Sequence, residues 1–262
     1  MTSPREVIFE ELIRGFGRPA PVDPARRRLL DTLRERNLLR SGSDVLVLAP
    51  TAELVGELAA RGVHPTVVEP LASLLEHLRQ RIGSSPAPVH WLRRDPHRLP
   101  FRRAFDLVLA TGLVLGTTGR EADDEELLRA LLAAVRSGGT IVLELPNREL
   151  LVRDFVERLW GTFDQLLVLV QQRWELPAGT LRIDWQLLWP DGTREQAERT
   201  LRLYAASELA QLCRRVGCSA LEYWGNDDGA PYELWSPRLL LVVRTEEEAT
   251  EPLVVGGEPR QP

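Results

Sequence analysis

Residues 44–70 read DVLVLAPTAELVGELAARGVHPTVVEP, and this stretch decides the fold class. The apolar run 44–48 is followed by an amphipathic segment at 52–61, whose apolar residues recur with helical spacing, and then by a second apolar run at 65–68. Short apolar runs that alternate with helices are typical of strands buried on both faces of a sheet. The stretch therefore predicts a strand–helix–strand unit of a parallel sheet with right-handed crossovers.

The same alternation continues as far as residue 145, which predicts an α/β fold. The further strands are predicted at 89–92, 105–110 and 140–145, and the further helices at 71–81 and 123–136. We expect Asp123 to be the N-cap of the last helix, with Glu126 at the reciprocal third position. The sequence Ser137-Gly138-Gly139 is expected to end that helix.

After a predicted helix at 148–159, the pattern changes to strict alternation. Apolar residues occupy every second position in 181–187, which is typical of a half-buried antiparallel strand. A turn at Pro190-Asp191-Gly192 and partner strands near 167–175 and 200–203 predict an antiparallel insertion at about 162–204. Ser207 is expected to cap a helix that ends near Gly217, and two last strands are predicted at 220–224 and 239–244.

Three segments organise the chain in this interpretation. Residues 1–43 form an N-terminal helical extension, with helices at 5–14 and 24–39, and residues 44–245 form the α/β domain. The acidic and then Pro- and Gly-rich segment 246–262 is predicted to be a disordered tail.

Composition excludes several function classes. All 33 basic residues are arginine, so lysine-dependent P-loop and Schiff-base chemistry is excluded. The net charge of −5 gives no basic field for nucleic acid. Apolar runs are too short to span a membrane, and the acidic N-terminus does not resemble a secretory signal, so we expect a cytoplasmic protein. The two cysteines and four histidines lack metal-ligand spacing, so no metal site is predicted.

The order of several motifs resembles the class I S-adenosylmethionine-dependent methyltransferase family. Residues 44–70 resemble its first strand, cofactor loop, helix and second strand, and RRDPHRLPFRRAFDLVLATGLVLG (93–116) resembles its third and fourth motifs. The segment TLRLYAASELAQLCRRVGCSALEYWG (200–225) resembles a segment of its small-molecule members. The resemblance covers about two hundred positions. It implies a Rossmann-like, mostly parallel seven-stranded sheet with an antiparallel last strand and a β-hairpin insertion.

The resemblance also implies a cofactor site for S-adenosylmethionine. Glu69, followed by Pro70, matches the acidic residue that holds the ribose hydroxyls, and Asp95, followed by Pro96, matches the one placed against the adenine amino group. Thr111 matches the loop under the methionine end. Glu69 could instead end a strand in solvent, and Asp95-Pro96 could simply start a turn.

The loop after the first strand departs from the family pattern. The family has two or three glycines there, whereas this chain reads Ala49-Pro50-Thr51-Ala52-Glu53. Side chains at Ala49 and Thr51 occupy the approach to the cofactor, Pro50 supplies no N–H, and backbone angles with positive φ become costly. Glu53 would repel the cofactor carboxylate if it pointed that way.

Two function hypotheses follow from this departure. The first is a methyltransferase that acts on a small-molecule acceptor, and the second is an inactive binding or scaffolding subunit. The expected protein partner is a second copy in a homodimer or an active paralogue. A nicotinamide-dependent oxidoreductase is excluded, since GxGxxG is missing. No catalytic base is identified; the candidates near strand ends are His97, Glu144, Asp227, Asp228 and Tyr232. Trp185 and Trp189 share a strand face that packs on the domain, covers an acceptor pocket or forms a dimer interface.

Overall fold

The computed structural model describes residues 23–83, 87–163, 165–218 and 220–246. Its strands form two sheets. The strands are β1 (Asp44–Leu48), β2 (His64–Val68), β3 (His90–Leu92), β4 (Phe105–Ala110), β5 (Val135–Leu145), β6 (Arg158–Phe163), β7 (Leu166–Glu175), β8 (Thr180–Leu188), β9 (Arg194–Arg202), β10 (Ala220–Trp224) and β11 (Leu239–Arg244). The larger sheet has the order β10-β11-β5-β4-β1-β2-β3. Its strands β1 to β5 are parallel, and β11 is antiparallel to both of its neighbours. The α/β fold and the antiparallel last strand are confirmed.

Helices cover both faces of this sheet. They are α1 (Arg27–Glu35), α2 (Ala52–Ala60), α3 (Ala72–Ile82), α4 (Glu121–Ala134), α5 (Arg148–Arg153) and α6 (Ala206–Arg215). Along β1, Val45 and Val47 belong to the core under α1, α2 and α3, whereas Leu46 and Leu48 belong to the core under α4 and α6. Successive residues of a strand point to opposite faces, which is why the run is apolar throughout.

The second sheet is antiparallel, with the order β6-β7-β8-β9, and corresponds to the predicted insertion. Its inner face carries Ile183, Trp185 and Leu187, all buried, and packs against Leu113 after β4 and Leu151 on α5. Trp185 therefore packs the hairpin onto the domain. The insertion stands against the carboxyl ends of the parallel strands, since β9 contacts the loop after β4 there: Arg202 N donates to Gly116 O at 2.8 Å.

Several predicted boundaries are wrong. The helix predicted at 148–159 ends at Arg153, because residues 158–163 instead find backbone partners on β7. Helix α4 begins at Glu121, so Asp123 lies in its first turn, and it ends at Ala134 before the glycines. Helix α6 begins at Ala206, which puts Ser207 inside it. The cap there is Glu208, whose carboxylate accepts from Ala205 N at 2.9 Å.

The helix predicted at 24–39 is observed as α1, and its leucines Leu29, Leu30 and Leu33 are fully buried in the same core as Val45. A domain boundary at residue 43 stays a prediction. The helix predicted at 5–14 and the tail beyond Glu246 lie outside the described residues.

Candidate cofactor cleft

A cleft of about 290 Å³ opens at the carboxyl ends of β1, β2 and β3. This size is at the lower end of ligand pockets, which span roughly 300–1,000 Å³. Polar side chains converge on it from four separate segments: Glu69, Asp95, His97, Thr117 and Arg199. Apolar side chains form most of the remaining wall: Leu48, Val68, Leu71, Leu113, Val114, Leu127 and Leu201. A cleft at this edge of a parallel sheet is where doubly wound folds bind ligands.

Glu69 stands at the end of β2 with its side chain fully buried. Its backbone N donates to Leu92 O at 3.1 Å, which ties this strand end to β3, and Leu71 N donates to Glu69 Oε1 at 3.1 Å. The alternative of a solvated strand end is therefore wrong. These bonds orient a buried carboxylate at the wall of the cleft, and Pro70 continues that wall.

Asp95 both caps a turn and lines the cleft. Its Oδ1 accepts from His97 N at 3.0 Å and lies 2.8 Å from His97 Nδ1, at the start of a 3-10 helix (Pro96–Arg98). The hydrogen bond from the His97 backbone is the main cause that lowers the pKa of Asp95 below its usual value. The carboxylate is therefore ionised, half exposed and fixed in direction by its neighbour.

The loop after β1 keeps a left-handed backbone without a glycine. Ala49 has φ of 47°, a conformation that costs an L-residue roughly 1–2 kcal/mol. Its neighbour on the loop after β4 is Gly112, where a Cβ would stand 2.8 Å from the Ala49 carbonyl oxygen and 2.9 Å from its Cβ. The loops after β1 and β4 can therefore approach each other because Gly112, on the loop after β4, has no side chain. The costly backbone angle expected of this loop is present.

The side chains of Thr51 and Glu53 in this loop both contact other parts of the fold. Thr51 caps α2: its Oγ1 accepts from Leu54 N at 3.2 Å and donates to Pro24 O at 2.5 Å, so its hydroxyl is engaged in the fold. Glu53 forms an ion pair with Arg81 on α3. Repulsion of a cofactor carboxylate by Glu53 is therefore not supported.

Five of the seven predicted cofactor residues line the cleft, namely Ala49, Glu69, Pro70, Asp95 and Pro96. Thr51 and Thr111 do not line it; Thr111 is buried directly after β4. Sequence reasoning missed Arg199 and Leu201, which reach the cleft from β9. No local pattern could have placed them, since they reach it through the docking of the second sheet.

The loop after β4 is held from inside the protein by a buried carboxylate. Gly116 N donates to Asp124 Oδ1 at 2.7 Å, and Tyr204 Oη donates to Asp124 Oδ2 at 2.5 Å. Burial raises the pKa of Asp124, while the bonds from Tyr204 and Gly116 act in the opposite direction. A Cβ on Gly116, whose φ is 78°, would stand 1.9 Å from Arg202 O. Asp124 therefore fixes the cleft loop against both α4 and the exit of the insertion.

Of the five candidate bases, His97 lines the cleft. Glu144 and Asp227 are both paired with the buried Arg26, at 2.5 and 2.8 Å. Asp228 pairs with Arg28, and Tyr232 Oη lies 2.7 Å from both Asn147 Oδ1 and Glu149 Oε2, between which its single O–H is shared. The described contacts give those four residues structural partners.

The described parts of the chain contain no helix long and apolar enough to cross a membrane. Within the same residues, no group of three or more histidine, cysteine, aspartate and glutamate side chains has a geometry that could hold a metal ion.

Comparison with known proteins identifies the fold. No family model matches the chain, and no curated protein matches it in sequence. Among solved structures, it is similar to an S-adenosylmethionine-dependent methyltransferase from Clostridium acetobutylicum, with a TM-score of 0.74 at 16% identity over 91% of this chain and 98% of that chain.

Two further solved structures are similar over nearly their whole length. The CcbJ methyltransferase from Streptomyces caelestis matches with a TM-score of 0.70 at 20% identity, over 89% of this chain and 96% of that chain. CalS10, an amino pentose methyltransferase from Micromonospora echinaspora solved with S-adenosylmethionine bound, matches with a TM-score of 0.59 at 18% identity, over 90% and 96%. The chain has the Rossmann-like fold of the S-adenosylmethionine-dependent methyltransferases.

Proposed function

We propose that the protein is an S-adenosylmethionine-dependent methyltransferase that acts on a small molecule. The observation that carries this proposal is the buried Glu69 carboxylate at the end of β2, beside an open cleft. A carboxylate at this place in a doubly wound sheet accepts two hydrogen bonds from the hydroxyls of a ribose. The names of the similar structures support the same cofactor.

The cleft has the polarity that an adenosine group requires. Between Glu69 and Asp95 its wall is apolar, with Val68 and Leu71 on the β2 side. A flat purine ring fits between such side chains, and the ionised Asp95 carboxylate accepts a hydrogen bond from an exocyclic amino group. In this arrangement Glu69 holds the ribose and Asp95 holds the base.

The start of α2 supplies donors for the amino-acid end of the cofactor. Helix α2 begins at Ala52, directly after the Ala49 loop, and the first N–H groups of a helix have no carbonyl partner within it. Because Leu54 N already donates to Thr51 Oγ1, the donors that this proposal assigns are those of Ala52 and Glu53. Such a helix start favours an anion. Pro50 contributes no donor, so we expect weaker binding than in a glycine-loop homologue.

The acceptor lies under the second sheet in this proposal. Leu113, Val114 and Leu201 give this end of the cleft an apolar surface, with Thr117 and Arg199 as polar groups. Transfer of a methyl group from a sulfonium depends mainly on alignment and exclusion of water, and a base is needed only for a poorly nucleophilic acceptor. A primary or secondary amine would attack through its lone pair in its unprotonated form, the methyl C–S bond would break to leave S-adenosylhomocysteine, and water would take the proton released. An amino sugar or similar amine therefore needs no base from the chain.

A catalytically inactive binding subunit was the alternative hypothesis. It rested on the loop Ala49-Pro50-Thr51, yet Ala49 lines an open cleft rather than filling it, and Thr51 is directed to Pro24. None of the described contacts favours that alternative. A cytoplasmic location belongs to the proposal and is consistent with the two free cysteines, Cys213 and Cys218.

Calorimetric titration of the full chain with S-adenosylmethionine and S-adenosylhomocysteine tests the proposal, with ATP as a ribose-containing control. We expect both cofactor forms to bind at micromolar levels and ATP not to bind. Formation of S-adenosylhomocysteine is then measured across a panel of amino sugars and other small amines. Absence of binding would refute the proposal, whereas binding without turnover on any acceptor would return the inactive subunit as the better interpretation.

A further inference from the structure

Strand β6 is a free edge of the second sheet. It pairs with β7 along its whole length, and no strand among the described residues pairs with its other side. Leu159 is 43% exposed and Trp160 76% exposed, and Arg158 and Thr162 are also exposed. Edge strands that face water are usually protected by lysine, proline or a bulge. The sequence RLWGTF at 158–163 has only Arg158 as a charged residue.

The hydrogen-bond pattern shows which backbone groups of β6 face outward. Gln172 N donates to Glu157 O at 2.7 Å, so Glu157 and Gln172 form a hydrogen-bonded pair just before β6 begins. In an antiparallel ladder, hydrogen-bonded pairs recur at every second residue. Leu159 and Gly161 therefore direct their N–H and C=O groups toward β7. Arg158, Trp160 and Thr162 direct theirs away from the sheet.

The outer face of the sheet is apolar at this edge and polar away from it. The register places Trp160, Leu169, Gln186 and Gln196 side by side across β6, β7, β8 and β9. Leu169 is 41% exposed, and both glutamines are exposed. An edge strand that faces water usually carries charged side chains instead. This gradient is expected if the sheet continues beyond β6.

We propose that β6 is the homodimer interface of this protein. Two copies pair antiparallel about a twofold axis in the Trp160–Thr162 segment, which joins the two four-stranded sheets into one of eight strands. The outward N–H and C=O groups of Trp160 and Thr162 in each copy then bond to those of the other. The two Trp160 side chains and the adjacent Leu169 side chains form one apolar strip across the joint.

A second copy fits this edge for two reasons. A strand is the partner that satisfies a row of outward backbone groups, and an antiparallel copy presents the same spacing of donors and acceptors. The strip formed by Trp160 and Leu169 also requires an apolar continuation on the partner's outer face. A second β6 provides it, because its own outer face carries the same two residues.

Sedimentation velocity of the full chain between micromolar and hundred-micromolar concentration tests this interface. We expect a concentration-dependent species of twice the 29.6 kDa chain mass. The variant Thr162→Pro removes an outward donor and leaves the bonds to β7 in place. The variant Trp160→Arg removes the apolar strip and adds like charges across the axis. Each is expected to weaken dimerisation at least tenfold.

Leu176→Arg is the matched control, since Leu176 is 72% exposed and lies in the turn between β7 and β8. It is expected to dimerise as the unaltered chain does, and circular dichroism checks that all three variants are folded. An unaltered chain that stays monomeric at every concentration overturns the proposal. So does a dimer that Trp160→Arg and Thr162→Pro leave intact, because another surface or segment then makes the contact.

Discussion

Ala49, which lines the cleft, and Gly112 share one small space. The carbonyl oxygen and Cβ of Ala49 stand 2.8 and 2.9 Å from where a Cβ on residue 112 would be. The left-handed backbone at Ala49, with φ of 47°, brings that carbonyl toward the β4 loop. The loop after β1 has no glycine, and the space that Ala49 needs is left instead by Gly112, which has no side chain, on the loop after β4.

The first prediction follows from this pair. Gly112→Ala forces a methyl group against a backbone carbonyl, so we expect a loss of about 1–3 kcal/mol of stability, the usual cost of overpacking. Urea unfolding measures it. Gly56→Ala is the control, because a Cβ at Gly56 meets nothing within 4 Å and replaces a glycine in helix α2. That control is expected to gain roughly 0.5–1 kcal/mol. Equal stability of the two variants would contradict the close contact.

A second prediction concerns the ribose ligand. If the chain binds S-adenosylmethionine, Glu69→Ala should weaken binding by about 1–3 kcal/mol, the scale for hydrogen bonds to a charged group. Calorimetry on the folded variant measures the dissociation constant. Glu76→Ala, on the exposed side of α3, is the matched control and should leave the constant unchanged. An unchanged constant for Glu69→Ala removes this carboxylate from the site.

The third prediction concerns Tyr204, which donates to the buried Asp124. Tyr204→Phe leaves that carboxylate with one donor fewer, and we expect a loss of about 1–3 kcal/mol at neutral pH. Tyr223→Phe is the control, since the buried Tyr223 hydroxyl has no hydrogen-bond partner among the described residues. Removing it should cost little stability. The reverse ranking of the two variants in urea would show that the bond to Asp124 contributes nothing.

The same pair predicts a dependence on pH. Burial raises the pKa of Asp124 in the folded state, so between its unfolded and folded pKa values the folded protein binds more protons. This group therefore lowers stability as pH rises through that window. Loss of the Tyr204 bond raises the folded pKa further and extends the window upward. The difference in urea midpoint between Tyr204→Phe and the unaltered chain should grow from pH 4 to pH 7; a constant difference would exclude this linkage.

A fourth prediction concerns Arg26, which is 2% exposed between Glu144 and Asp227. Arg26→Ala removes the cation shared by Glu144 and Asp227, of which Asp227 keeps Arg238 at 3.0 Å. Breaking a buried pair typically costs about 3–5 kcal/mol. Arg28→Ala removes an exposed ion pair with Asp228, which water screens, and should cost far less than Arg26→Ala. Thermal unfolding of both variants compares the two effects, and similar losses would mean that the Arg26 pairs are screened by water.

The sequence predicts those parts of the fold that depend on local patterns. The strands β10 and β11 lie at the predicted residues, and Glu69 and Asp95 line one cleft. The prediction of one helix at 148–159 was wrong. Residues 158–163 pair with β7 as a strand, and this pairing outweighs their local preference for a helix. Arg199 and Leu201 could not be found, since they lie far along the chain from β1 to β3 and reach the cleft only through the packing of two sheets.

The backbone contact between Gly116 and Arg202 also bears on how this fold could be re-engineered. Arg202 N donates to Gly116 O at 2.8 Å, and any side chain at residue 116 would collide with the Arg202 carbonyl. A chimera that exchanges the insertion for that of another protein must keep a glycine at 116 and the same strand exit at 202. With that contact kept, residues 158–201 are the segment to exchange as one unit. The side of the cleft that the second sheet lines can then be redesigned while the half formed by β1 to β3 is kept unchanged.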